Sequence, residues 1–260
     1  KMQKIAIKKI LMKKSITPII CLTAYTKTIA KITDKYCDII LVGDSLGMVL
    51  YGMKTTKEVK IETMISHART VKNFAKKSLV IFDMPYKTYT NKSIAYKNAK
   101  KVMKLTKCDA IKLEGGKEMA NIIKYLTKKG IPVIGHVGLL PQTSSNFKVK
   151  GKNFTQQKKI FEDALAISNS GVFAIIVECV VENLAKRITK NVAIPTIGIG
   201  ASKYCDGQIL VTEDILGLSG FHPKFVKQYA NLSKLAEKSI KNYAKDVKKR
   251  RFPFSENVYK

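Results

Sequence analysis

The chain alternates short apolar runs with longer segments in which apolar residues recur every three or four positions. The runs are Ile19–Leu22, Ile39–Val42, Leu79–Phe82, Ala110–Glu114, Ile131–Ile134, Phe173–Val177, Ile194–Ile197 and Ile209–Val211. Short apolar runs bounded by Gly, Pro or polar residues read as strands buried on both faces, the habit of a parallel sheet. Ile61–Lys76 is the clearest helix between them, with Ile61, Met64, Ile65, Ala68, Val71 and Ala75 at helical spacing. Helices are also expected over Thr28–Lys35, from Asn91 or Ser93 to Thr106, over Lys117–Lys129, Gln156–Ser170 and Val181–Asn191. Two more are expected outside the strands, Ile5–Lys14 and Phe225–Lys249, while residues 43–60 and Leu139–Thr155 read as loops. Strand and helix thus alternate through eight units. That is the α/β class, and the length suits a closed (β/α)8 TIM barrel of about 250 residues. An open doubly wound sheet would place a Gly-rich phosphate loop after its first strand; neither G-x-G-x-x-G nor G-x-x-x-x-G-K-[ST] stands there. We expect one domain over residues 1–260, the barrel with an N-terminal helix and a C-terminal helical segment.

Composition changes this picture little. The formal charge of +29 invites a nucleic-acid reading. Arginine, the usual donor for bidentate phosphate and base contacts, supplies only four of the 48 basic residues (positions 69, 187, 250 and 251), and lysine the other 44. The lysines spread over the whole chain and no aromatic stripe accompanies them, so no nucleic-acid partner is expected; the field favours small anions. No apolar run approaches the ~20 residues of a membrane span, and the basic N-terminus does not read as a secretory signal. Five cysteines without a C-x-x-C pair suggest reduced thiols, no zinc site and a cytoplasmic protein.

Chemistry gathers at the carboxyl ends of the runs, where α/β barrels carry it. In chain order these ends present Thr23 and Tyr25, Asp44 and Ser45, Asp83, Lys112 and Glu114, His136, Glu178, then Gly198 and Gly200. Each residue alone has a plain structural explanation: Asp44 could cap a turn, Lys112 and Glu114 could be an ion pair, His136 a hydrogen-bonded core residue. Polar residues at so many consecutive strand ends after apolar interiors point instead to a common site. Asp44, Asp83 and Glu114 at close range would repel one another and raise each other's pKa. A divalent cation relieves that, and oxygen-only ligation points to Mg2+. Such an ion can stabilise an enolate as a Lewis acid. Lys112 would neutralise the remaining charge of a small keto acid, leaving Glu178 as the proton-abstracting base.

Several motifs resemble those of the ketopantoate hydroxymethyltransferase family: LTAYT at 22–26, ILVGDSLGMV at 40–49, FDMPY at 82–86, AIKLEGG at 110–116, GIPVIGHVGLLPQ at 130–142, KVKGK at 148–152, VECV at 177–180, LAKRIT at 184–189, then IPTIGIGA and CDGQILV. The resemblance covers nearly the whole chain. It implies a barrel of the phosphoenolpyruvate/pyruvate type and transfer of a one-carbon unit from 5,10-methylenetetrahydrofolate to 3-methyl-2-oxobutanoate, towards pantothenate. By matching motif it makes Asp44, Asp83 and Glu114 ligands of Mg2+, Asp44, Ser45, Asp83 and Lys112 substrate contacts, Glu178 the base at C3, and His136 a supporting residue. A homo-oligomer, a decamer, is also implied. The chain departs from the family pattern at Leu140, at Val181, over residues 51–60 and in the loop after Gln142. A lyase or mutase of the same barrel superfamily is the alternative enzyme.

Overall fold

The computed structural model describes residues 2–144 and 147–259. Eight strands form: β1 Ile19–Thr23, β2 Ile39–Val42, β3 Leu79–Asp83, β4 Ala110–Glu114, β5 Val133–Gly138, β6 Ala174–Glu178, β7 Thr196–Ile199 and β8 Gly207–Leu210. Each pairs in parallel with the next, and β8 returns to β1, so the sheet closes as the expected barrel. α1 Met2–Leu11 precedes it. The crossovers carry α2 Lys27–Thr33, α3 Leu46–Tyr51, α4 Ile61–Phe74, α5 Lys92–Thr106, α6 Ala120–Lys128, α7 Phe154–Ser168 and α8 Glu182–Asn191. These elements form one compact unit ending at Val211; a second unit, from Thr212 on, holds α9 Thr212–Ile215 and α10 Leu232–Lys248. Among the described residues no helix is long and apolar enough to cross a membrane, and all five cysteines are free and buried.

Successive side chains on a strand face opposite ways, and the barrel uses this to build two apolar layers. Ile40, Val42, Val80, Phe82, Ile111, Leu113, Ile175 and Val177 pack outward against the helices, joined by Met64, Ala68 and Val71 of α4 and Ala95, Ala99 and Val102 of α5. The alternate residues, Cys21, Ile39, Leu41, Leu79, Ile81, Ala110, Ile134, Ala174, Ile176, Ile197 and Ile209, fill the interior. Ile10 of α1 joins this inner cluster, with Ala6 and Ile7 packed beside it. α1 therefore packs against the inner apolar layer of the barrel.

Where boundaries differ from expectation, proline and capping explain the difference. β5 and β7 begin later than Ile131 and Ile194 because Pro132 and Pro195 lack the N–H a ladder needs; their carbonyls accept from Ile111 and Ile175 instead. The shift carries β5 on to Gly138, so His136 lies within the strand. Residues 43–60 are not wholly loop: α3 forms there, ending at Gly52 in the left-handed conformation. Ser145 and Asn146, in the expected loop 139–155, lie outside the described residues. α10 starts at Leu232 rather than Phe225 because the Asn231 side chain accepts from the Lys234 N–H at 3.1 Å and caps it there.

Candidate active site

The inward-facing positions that are apolar low in the barrel turn polar as each strand rises. Ile81 is followed on the same face by Asp83, Ala110 by Lys112 and Glu114, Ile134 by His136, and Ile176 by Glu178. The register sets Asp83 beside Lys112, Glu114 beside His136, and Gly138 beside Glu178. Asp44 and Ser45 follow β2, Ser45 preceding α3. Asp44, Asp83, Lys112, Glu114 and His136 are each 4% exposed or less.

So much buried charge must be paired, and Lys112 does most of the pairing. Its Nζ stands 3.1 Å from Asp83 Oδ2 and 3.0 Å from Glu114 Oε1. Burial opposes its charge, but Asp83, Glu114 and Asp44 together hold its pKa well above the ordinary lysine value. Asp44 is pushed well up, by burial first and then by Asp83; Asp83 is raised by burial despite Lys112. The two aspartates touch: Asp83 Oδ2 accepts from the Asp44 backbone N–H at 3.2 Å.

The expected three-carboxylate metal set takes a modified form. Among the described residues no three acidic, His or Cys side chains stand together in a metal-holding group. The reason is that Lys112 draws Glu114 to itself, while the second oxygen, Oε2, accepts from the Gln142 N–H at 3.1 Å. Asp44 and Asp83 remain as the adjacent acid pair. They suit a hard cation: their donors are all oxygen, and three buried acids against one lysine leave negative charge to neutralise.

On the other side of the lysine, His136 Nε2 lies 3.2 Å from Glu178 Oε2, and Nδ1 3.7 Å from Glu114 Oε1. Burial, then the Lys112 charge, lowers the His136 pKa to about 3, so the imidazole is neutral. Burial raises Glu178 to about 7, against the opposing pull of Lys112. Its backbone is tightly seated. The Glu178 carbonyl accepts from Leu139 N–H at 2.8 Å, Cys179 turns into the left-handed region (φ 49°), and Gly138 (φ 99°) packs where a Cβ would lie 2.3 Å from that carbonyl. Gly138→Ala is accordingly expected to lower stability by about 1–3 kcal/mol and to reduce turnover, read by urea unfolding and steady-state assay.

Three further site residues carry a weaker sequence signal. Tyr25, visible only as a strand-end residue, sets its hydroxyl 2.7 Å from Ser45 Oγ, and its carbonyl accepts from His67 Nδ1 at 2.8 Å. Tyr89 and Gln142 come from connecting segments without periodicity. Gln142 Nε2 donates to Asp44 Oδ2 at 2.8 Å, and the Tyr89 hydroxyl donates to Gln142 Oε1.

Comparison with known proteins agrees with this geometry. The family model described as ketopantoate hydroxymethyltransferase matches residues 4–255. A 3-methyl-2-oxobutanoate hydroxymethyltransferase of Pelagibacter ubique is 51% identical over 247 residues, covering 95% of this chain and 96% of that protein. One of Rhizobium etli is 49% identical over 248 residues, covering 94% and 91%. Among solved structures, phosphonopyruvate hydrolase in complex with oxalate and Mg2+ superposes with a TM-score of 0.63 at 11% identity, over 98% of this chain and 92% of that one. 2,3-Dimethylmalate lyase, a member of the PEP mutase/isocitrate lyase superfamily, gives 0.64 at 12%, over 98% and 88%. At that identity the structural matches speak for the fold alone.

Proposed function

The chain belongs to the ketopantoate hydroxymethyltransferase family, and on that premise we propose that it converts 3-methyl-2-oxobutanoate to 2-dehydropantoate with 5,10-methylenetetrahydrofolate as one-carbon donor, a step of pantothenate biosynthesis. The observation that carries this reading is Glu178. It is a largely enclosed carboxylate, its side chain 14% exposed, with a pKa near 7, against a neutral histidine, in the same cluster as the buried Lys112 and the acid pair.

Asp44 and Asp83 would hold Mg2+, with Glu114 the third acid beside them. When bound, the ion supplies positive charge to the oxygens of the keto acid and to its enolate. Ser45 hydrogen-bonds the keto acid, and the Lys112 ammonium, kept charged by its three acids, meets the carboxylate. Glu178 takes the proton from C3. The electron pair released there forms the new bond to the folate methylene carbon as the first of its two carbon–nitrogen bonds breaks; water supplies the hydroxyl as the second breaks, the C3 proton and one water proton end on the two nitrogens, and tetrahydrofolate leaves. His136 cannot compete for the proton, because its own pKa lies far below that of Glu178. Burial serves the chemistry directly, since a base near pH 7 matches its driving force to its abundance.

The test is incubation with 3-methyl-2-oxobutanoate, Mg2+ and 5,10-methylenetetrahydrofolate, with 2-dehydropantoate followed by mass spectrometry. Product formation is expected, and its absence in folded protein contradicts the reading. A superfamily lyase or mutase would instead turn over the keto acid without folate. Only the ionised base is active, so the rate should plateau above pH 7 and fall about tenfold per unit below it. A flat profile between pH 5 and 8 would remove Glu178 from the role. We further propose a cytoplasmic homo-oligomer with no nucleic-acid partner. Any retention on DNA should vanish as salt rises, the mark of unspecific lysine–phosphate attraction.

A further inference from the structure

Gln142 lies in the irregular segment after β5 and is 1% exposed. Its neighbours fix its amide orientation. The Met84 carbonyl at 2.9 Å and Asp44 Oδ2 at 2.8 Å are both acceptors, so Nε2 faces them. Oε1 faces the Tyr89 hydroxyl, which donates to it. The Gln142 backbone N–H donates to Glu114 Oε2 at 3.1 Å, and the Glu114 N–H approaches Tyr89 Oη at 3.4 Å. The circuit therefore runs from Glu114 through Tyr89 to Gln142, and from Gln142 back to Glu114 and on to Asp44. The side chain satisfies groups that follow β2 and β3, the backbone N–H satisfies Glu114 of β4, and every polar atom of the amide has a partner.

We propose that Gln142 is a positioning residue for the cation site: it holds Asp44 in the orientation from which, beside Asp83, that carboxylate receives Mg2+, and it docks the segment after β5 onto Asp44 and Glu114. The inference rests on the Mg2+ reading above. Asp44 follows β2 rather than lying in it, so its backbone is outside the sheet ladder, and its Oδ2 is held by the Gln142 amide. A partner that orients a ligating carboxylate typically contributes ten- to a hundredfold in metal affinity.

The experiment is titration calorimetry with Mg2+ alone on the full chain, in wild type, Gln142→Met, Tyr89→Phe and the double variant. Methionine keeps the volume and removes the amide. Gln142→Met is expected to raise the Mg2+ Kd about tenfold. Tyr89→Phe, which removes one hydroxyl and leaves Gln142 Oε1 without its donor, should raise it in the same direction by less. The double variant should bind no more weakly than Gln142→Met, since both act through one amide. A Kd within twofold of wild type in folded Gln142→Met overturns the inference, as does strict additivity of the two losses. Should Gln142→Met not fold, Tyr89→Phe decides by the same criterion, unchanged affinity counting against. Failure of the wild type itself to bind Mg2+ would instead refute the metal reading, and the inference with it.

Discussion

Glu178→Gln should lower kcat by about 10²–10⁴-fold, the usual contribution of a positioned general base, and make the protein more stable. Burial raises the Glu178 pKa from 4.5 to about 7, so the folded state holds this proton more tightly than the unfolded chain does. The stabilisation this gives is fully present below pH 4.5 and is lost as pH rises through 7. At pH 8 the wild type therefore carries a penalty of roughly 3 kcal/mol for an ionised, largely desolvated carboxylate, from which glutamine is exempt. Urea unfolding should show the variant ahead by a few kcal/mol at pH 8 and by less than about 1 kcal/mol at pH 5. A variant less stable than wild type at pH 8 would mean that Glu178 is not held in a desolvated, strained state.

Lys112→Met works in the opposite sense. The ammonium lies 3.0 Å from both Asp83 Oδ1 and Glu114 Oε1, and those side chains are 4% exposed or less. Removing it leaves Asp83 and Glu114, with Asp44 adjacent, uncompensated in a low-dielectric interior. Stripping one partner from such a buried set typically destabilises by about 3–5 kcal/mol. Acid should repair part of the loss, because Asp83, already raised, takes up a proton more readily once the cation is gone. The deficit should thus be largest near pH 8 and shrink towards pH 5, opposite to the trend that glutamine produces at position 178. Turnover should fall with it, since the keto acid loses its cationic contact. A variant as stable as wild type at pH 8 would show the acids to be protonated already and Lys112 to be dispensable to the fold.

Most of the barrel is legible in the sequence because its physics is local and periodic. An apolar run such as Ile39–Val42 can hardly be anything but a strand covered on both sides, and Gly130 and Gly171 end helices by a rule that needs no tertiary knowledge. The same regularity reaches into the site. With side chains alternating along β4, Lys112 and Glu114 necessarily share the inner face, and the carboxyl ends of closed strands necessarily converge. What was hidden depends on distance in space. That Lys112 takes Glu114 for itself follows from rotamers and register, not spacing. Gln142 and Tyr89 sit in segments without period, where nothing separates a buried polar anchor from a solvated loop residue. The late starts of β5 and β7 follow from Pro132 and Pro195, which stand in the sequence, whereas the start of α10 depends on which of several polar residues caps it, and Asn231 does.

In the proposed reaction Glu178 removes the C3 proton of the keto acid. The most direct measurement is exchange of that hydrogen for deuterium, followed by NMR, with 3-methyl-2-oxobutanoate and Mg2+ in D2O and no folate present. Wild type should exchange it at a rate that falls below pH 7, and Glu178→Gln should not exchange it while still binding Mg2+. Exchange at the wild-type rate in Glu178→Gln would contradict the account.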